Sequence, residues 1–128
     1  MAKTYKFEVC TNRANAGFMM PIGWAVISVR FGYFNYCGNH EVPATEGQSP
    51  IRQQSEFLTC DTAEVAIRDS ADGGFVVAAN FLEDSPEKWG DSLDCCDSVI
   101  GYCTPEEVAK IIANLQASPE DDPRRYLR

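Results

Sequence analysis

The sequence predicts an α+β fold, an antiparallel sheet of about five strands with one amphipathic C-terminal helix packed on one face. Three observations point there. Residues 23–40 alternate: Ala25, Ile27, Val29, Phe31 and Tyr33 fall on one side, Ser28, Arg30 and Gly32 on the other, between Trp24 and Phe34. Residues 104–117 open with Thr104 as N-cap, Pro105 at the first helical position and Glu107 closing a capping box. Val108, Ile111, Ile112 and Leu115 then fall on one helical stripe. Finally, Ser70-Ala71-Asp72-Gly73-Gly74 separates Val65 and Ile67 from the alternating Phe75, Val77, Ala79 and Phe81, which is the signature of a hairpin.

Taken in order, Tyr5, Phe7, Val9 and Thr11 alternate with Lys6, Glu8 and Cys10 and form a first strand with one wet face. Residues 12–21 have no period, yet they carry Phe18, Met19 and Met20, so they are expected to tuck irregularly under the sheet. The long strand follows, with Gly32 at a bulge, a sharp twist or a corner between two shorter strands. Residues 38–55 are rich in Gly, Asn, Pro, Thr, Gln and Ser and read as a long loop. A short strand over residues 56–60 leads into residues 62–70. There Asp61 and Glu64 would also serve as a helix capping box, but a strand places Val65 and Ile67 on one face. Residues 83–98 form an acidic connection punctuated by Pro and Gly, and residues 99–103 a last short strand before the helix. Glu106 and Lys110 are spaced for an exposed pair on that helix. The reading is one domain over residues 1–117 and a polar tail, residues 118–128, with too little apolar content to fold alone.

A chain of 128 residues can bury roughly two-thirds of its unfolded surface without disulfides or a metal. Lys6 and Glu8 interrupt what would be the apolar core of a signal peptide, and no apolar run reaches membrane-spanning length. The expected location is therefore cytoplasmic, with six free thiols, since Cys95 and Cys96 are adjacent. Charge is uneven: residues 1–60 hold five Lys or Arg against four Asp or Glu, whereas residues 61–128 hold six against fifteen. The resulting net of −9 in the second half repels nucleic acid and acidic membranes and attracts a basic partner.

Chemistry-bearing residues are few. His40, the only histidine, follows Cys37 by three residues, half of a zinc site that Cys95 and Cys96, or Cys60 and Cys103, could complete. No Cys-x-x-Cys knuckle accompanies it, and no metal or other cofactor is expected. The same thiols and imidazole could serve a small cysteine-dependent enzyme if they met within hydrogen-bond reach. Asp84, Glu87, Asp91, Asp94 and Asp97 recur at short intervals around Trp89 without the spacing of a calcium loop. Carboxylates displayed this way can occupy a site meant for phosphates. The expected function is a small, acidic, non-enzymatic binding or inhibitor protein, a nucleic-acid mimic that engages a basic, nucleic-acid-binding protein surface. Its binding residues would be Asp84, Glu87, Trp89, Asp91, Asp94 and Asp97, with charge steering and Trp89 anchoring. Small size, thiols without a redox motif and an acidic surface are compatible with the accessory proteins of phages and mobile elements.

Overall fold

A computed structural model describes residues 5–11, 14–41, 59–90 and 98–128. Five strands form one antiparallel sheet in sequential order: β1 (Glu8–Cys10), β2 (Gly17–Ile22), β3 (Ala25–Arg30), β4 (Ala63–Asp69) and β5 (Val99–Cys103). Helix α1 (Pro105–Ala117) follows β5 directly. It packs with the 3-10 turn Ala78–Phe81 over the face of the sheet that carries Ala25, Ile27, Val29, Val65 and Ile67. Phe81, Ile111 and Leu115 close that core from the helical side. The α+β class and the position of the helix are as the sequence predicts.

The strand at the centre is shorter than its alternation suggests. β3 ends at Arg30, and the chain from Phe31 to Glu41 turns repeatedly rather than extending. Gly32 donates its N–H to the Asn35 side chain at 2.9 Å and Asn39 donates to the Phe31 carbonyl at 2.8 Å, so beyond the backbone bonds of Phe31 to Ala16 and Phe34 to Ala14 polar side chains take over from the ladder. Aromatic alternation beyond Arg30 reflects rings gathered on a turn.

β2 corrects the expectation of an irregular segment over residues 12–21. Gly17–Ile22 is a strand seated between β1 and β3, joined to β3 by the two-residue turn Gly23-Trp24. Gly23 takes φ +58, the glycine-first pattern of a type II′ turn. Pro21 does not break the ladder. Ile22 and Ala25 flank the turn as a hydrogen-bonded pair, which puts Pro21 in the next, non-bonded pair. Its missing N–H therefore points to the β1 side, beyond the end of the β1 register at Glu8 opposite Met19.

The segment 62–70 holds the strand β4, Ala63–Asp69, as the hairpin reading requires, and not a helix. Asp69 shapes the turn: its carboxylate accepts from the Ala71 N–H and its carbonyl from the Gly73 N–H, both at 2.8 Å. The return strand is only the bridge from Phe75 to Arg68, after which Val76, Val77 and Ala78 are all buried and the chain coils into the 3-10 turn. Thr59 and Cys60 belong to no strand, and residues 42–58 lie outside the described residues. Between β4 and β5 the register slips, with Ala63 opposite Cys103 but Val65 opposite Ile100, so β5 carries one extra residue around Tyr102. Thr104 caps α1 as expected: its hydroxyl accepts from the Glu107 N–H at 3.2 Å, and the Glu107 carboxylate accepts from the Thr104 N–H at 3.0 Å.

Residues 118–128 dock back on the domain through charge. The Arg125 guanidinium lies 2.9 Å and that of Arg128 3.1 Å from the buried Asp69 carboxylate, and Val77 donates its N–H to the Leu127 carbonyl. Arg124 pairs with the buried Asp122 at 2.8 Å and lies over the rings of Phe81 and Trp89.

Candidate functional site

Of the six residues expected to bind a basic partner, Asp84, Glu87 and Trp89 lie in the described part, and Asp91, Asp94 and Asp97 lie outside it. Residues 83–90 form a small braced lobe. Asn80 holds its far end with two bonds, donating to the Gly90 carbonyl at 2.8 Å and accepting from the Gly90 N–H at 2.9 Å. A 3-10 turn, Pro86–Lys88, exposes Glu87. Asp84 is exposed but pairs with Lys110 at 3.2 Å, which takes Lys110 away from the expected helix pair with Glu106. Trp89 is half-buried, donates its Nε1–H to the Glu83 carbonyl at 3.0 Å and lies beneath the Arg124 guanidinium at 4.7 Å. An indole committed in this way braces the lobe from inside.

The thiol and imidazole candidates sit at the turn after β3. Cys37 is buried at 1% exposure, and its Sγ faces the Gly32 carbonyl at 3.5 Å. Burial pushes its thiol up to about 11, with the neighbouring Cys60 thiol and the Glu64 charge adding to the rise and a bond from the Asn39 N–H opposing it. A thiol held protonated and sealed from water is the reverse of an activated nucleophile or a ready metal ligand. Cys103, buried beneath α1, is likewise pushed up to about 11 by burial and then by Glu107. His40 does not turn to Cys37. Its ring lies tilted against Tyr36 with centroids 4.9 Å apart, its Nε2 lies 3.9 Å from Glu41, and its buried Nδ1 has no hydrogen-bond partner among the described residues. Among the described residues, no group of three or more His, Cys, Asp or Glu side chains is gathered to hold a metal ion. Cys95 and Cys96 lie outside the described residues.

The same turn carries a feature that period-two reading misses. Phe34, Tyr36 and Tyr102 are 60%, 55% and 53% exposed; Phe7 and Tyr126 are more exposed still, but Tyr36 and Tyr102 lie together. Tyr36 and Tyr102 are bound to one another, since the Tyr102 N–H donates to the Tyr36 carbonyl at 2.8 Å. Tyr102 takes φ +55 at the β5 bulge, and Glu41 takes φ +55 where its N–H returns to the Tyr33 carbonyl. Two non-glycine residues in left-handed backbone, one aiming an aromatic ring at solvent and the other a carboxylate, mark this corner as a place where the fold accepts strain. The Glu64 carboxylate fixes it from β4, accepting from the Tyr36 N–H at 2.8 Å and from Asn35 at 3.4 Å. Any sequence signal lay in the run Phe31-Gly32-Tyr33-Phe34-Asn35-Tyr36, whose Gly and Asn are turn residues set among rings.

No described helix is long and apolar enough to cross a membrane. No protein-family model matches the chain, and comparison with curated proteins and with solved structures gives no match.

Proposed function

We propose that this chain is a small, non-enzymatic binding protein that engages a basic protein surface, its acidic second half steering the encounter and an aromatic, acidic corner anchoring it. The observation that carries the reading is the corner where the exposed rings of Tyr36 and Tyr102 are tied by a backbone bond, and where His40 lies between the Tyr36 ring and the exposed Glu41 carboxylate. Electron-rich ring faces next to carboxylates are complementary to Arg and Lys, which stack on the former and pair with the latter. Tyrosine also belongs to the residue types concentrated at the centres of interfaces. The net charge of −8 supplies the long-range attraction. Asp84 and Glu87 are exposed, and with the negative charge that Asp91, Asp94 and Asp97 add in sequence they give the reading in which the protein covers a site meant for nucleic acid. Trp89 serves that surface by bracing it.

The test is an affinity pull-down from the native host at low and at high salt, run with the wild-type protein, with Tyr36→Ala and Tyr102→Ala combined, and with Asp91→Asn and Asp94→Asn combined. The reading predicts a nucleic-acid-binding protein recovered at low salt, depleted by high salt and lost with the aromatic variant. Equal recovery by all three proteins, or turnover of a small molecule by the protein alone, would sink it.

A further inference from the structure

The face of the sheet turned away from α1 is not a simple wet face. Across it runs one row in register: Glu8 opposite Met19, Met19 opposite Ser28, Ser28 opposite Ala66, and Ala66 opposite Val99. The two central strands thus place their small side chains, Ser28 and Ala66, in the middle of the row. Two residues along β3 stands Arg30, and two residues along β4, in the opposite direction across the face, stands Arg68. A floor of small residues between these two long cationic side chains makes a cleft of about 400 Å³, lined also by Tyr5, Phe75 and the acids Glu8 and Glu64.

The charge state of this cleft sets it apart. The chain carries 19 acidic residues against 11 Lys and Arg, so a carboxylate partner is available to most of its cations. Arg124, Arg125 and Arg128 each have one, at 2.8, 2.9 and 3.1 Å. Arg30 and Arg68 have none within 4.0 Å among the described residues. Arg30 faces Glu64 across the ladder, yet the Glu64 carboxylate is taken up by the Tyr36 N–H and Asn35 instead. Both guanidiniums are nevertheless held in place. Arg30 donates from Nε to the Ser28 hydroxyl at 3.2 Å and from Nη1 to the Asn15 carbonyl at 3.3 Å. Arg68 lies over the Phe75 ring at 4.5 Å, a stack that fixes its plane while its N–H edge has no carboxylate partner among the described residues.

We infer that this cleft is a binding site for a small organic oxyanion, a carboxylate or phosphate monoester, with the anionic group between Arg30 and Arg68 and an apolar body against Met19 and Phe75. Guanidinium forks fit both oxyanions in bidentate fashion, and their prior alignment lowers the entropic cost of the fit. Glu8 at the rim, with the acidity of the whole chain, excludes a polyanion such as nucleic acid and restricts the ligand to one that ends inside the cleft. The site differs from the surface proposed for the protein partner, since it sets two guanidiniums against the carboxylates of Glu8 and Glu64, and Glu64 is held on the Tyr36 side.

The experiment is a titration of the isotope-labelled protein with phenyl phosphate and, separately, with benzoate, followed at the Arg Nε–H signals. Saturable, one-to-one shifts of the Arg30 and Arg68 signals in the millimolar range are expected for at least one probe, and which probe saturates tells phosphate from carboxylate as the natural head group. Arg68→Gln should weaken binding by about tenfold, the loss of one charge-assisted hydrogen bond. Ala66→Leu leaves both charges in place but fills the floor, and it too should weaken binding. Shifts that stay linear with both probes, or saturable binding unchanged in Ala66→Leu, would overturn the site. The wild-type titration decides the first point even if a variant fails to fold.

Discussion

Asp69 is the residue on which the C-terminus depends. It is buried at the end of β4, shapes the following turn through the Ala71 N–H, and pairs with Arg125 and Arg128 from the far end of the chain. Removing Asp69 leaves Arg125 without its carboxylate, while Arg128 keeps Asp72, so Asp69→Ala should cost about 3 kcal/mol in chemical denaturation and make residues 118–128 sensitive to protease. Gly17 is as restricted for a different reason. It takes φ +148, and a methyl group there would come within 2.0 Å of the Val29 carbonyl oxygen, so Gly17→Ala should part β2 from β3 and cost more than about 1 kcal/mol. Two sets of groups give a pH dependence. Burial raises the Cys37 and Cys103 thiols from 9.0 to about 11, so the folded state holds protons that the unfolded chain releases first. That contribution to stability is complete below pH 9.0 and lost as pH rises toward about 11, and a melting-temperature profile should fall across this window, less steeply in Cys103→Ala. For Asp122 burial works upward, but bonds from Arg124 and Ser118 outweigh it and hold the carboxyl below its ordinary 3.8. Its stabilisation is present above that value and disappears as acid titrates the folded form. None of these roles could be read from a list of residue types. A carboxylate at the end of an alternating run looks solvated until the chain that covers it, more than fifty positions away, is in view.

At the scale of elements, what the sequence makes plain is whatever its local chemistry determines. The α1 start is written in Thr104, Pro105 and Glu107, three adjacent requirements that no tertiary contact has to supply, and Thr104→Ala should cost about 1 kcal/mol. The apolar stripe is also correct, but its weight is not evenly spread. Ile111 and Leu115 are fully buried while Val108 and Ile112 are only partly covered. Ile111→Ala should therefore cost about 2 to 5 kcal/mol and Ile112→Ala clearly less, a difference that equilibrium unfolding resolves. β4 and its turn were readable because Asp72-Gly73-Gly74 is turn chemistry between alternating residues. β2 was hidden because Pro21 and two methionines obscure its period, and only its place in the sheet explains why the proline does no harm. β3 reads as longer than it is because alternation of aromatics continues past Arg30 into a turning segment, part of whose backbone is satisfied by the Asn35 and Asn39 side chains.

For the whole molecule, charge and fold make different statements. The excess of acidic residues is visible from the sequence, but it does not locate either of the two surfaces that stand out in three dimensions. One is the corner of Tyr36, Tyr102 and Glu41, assembled from a turn and a bulge that sequence spacing does not reveal. The other is the cleft between Arg30 and Arg68, visible only once the strand register sets them on one face. The central claim is that the corner anchors a basic protein partner that the acidic surface attracts. It is tested most directly by the association and dissociation rates of the partner recovered at low salt, measured across a range of salt concentrations. The account predicts that Tyr102→Ala raises the off-rate by about tenfold with little change in the on-rate, whereas Asp91→Asn with Asp94→Asn lowers the on-rate and flattens its salt dependence. An off-rate untouched by Tyr102→Ala, in a variant that melts like the wild type, would contradict it.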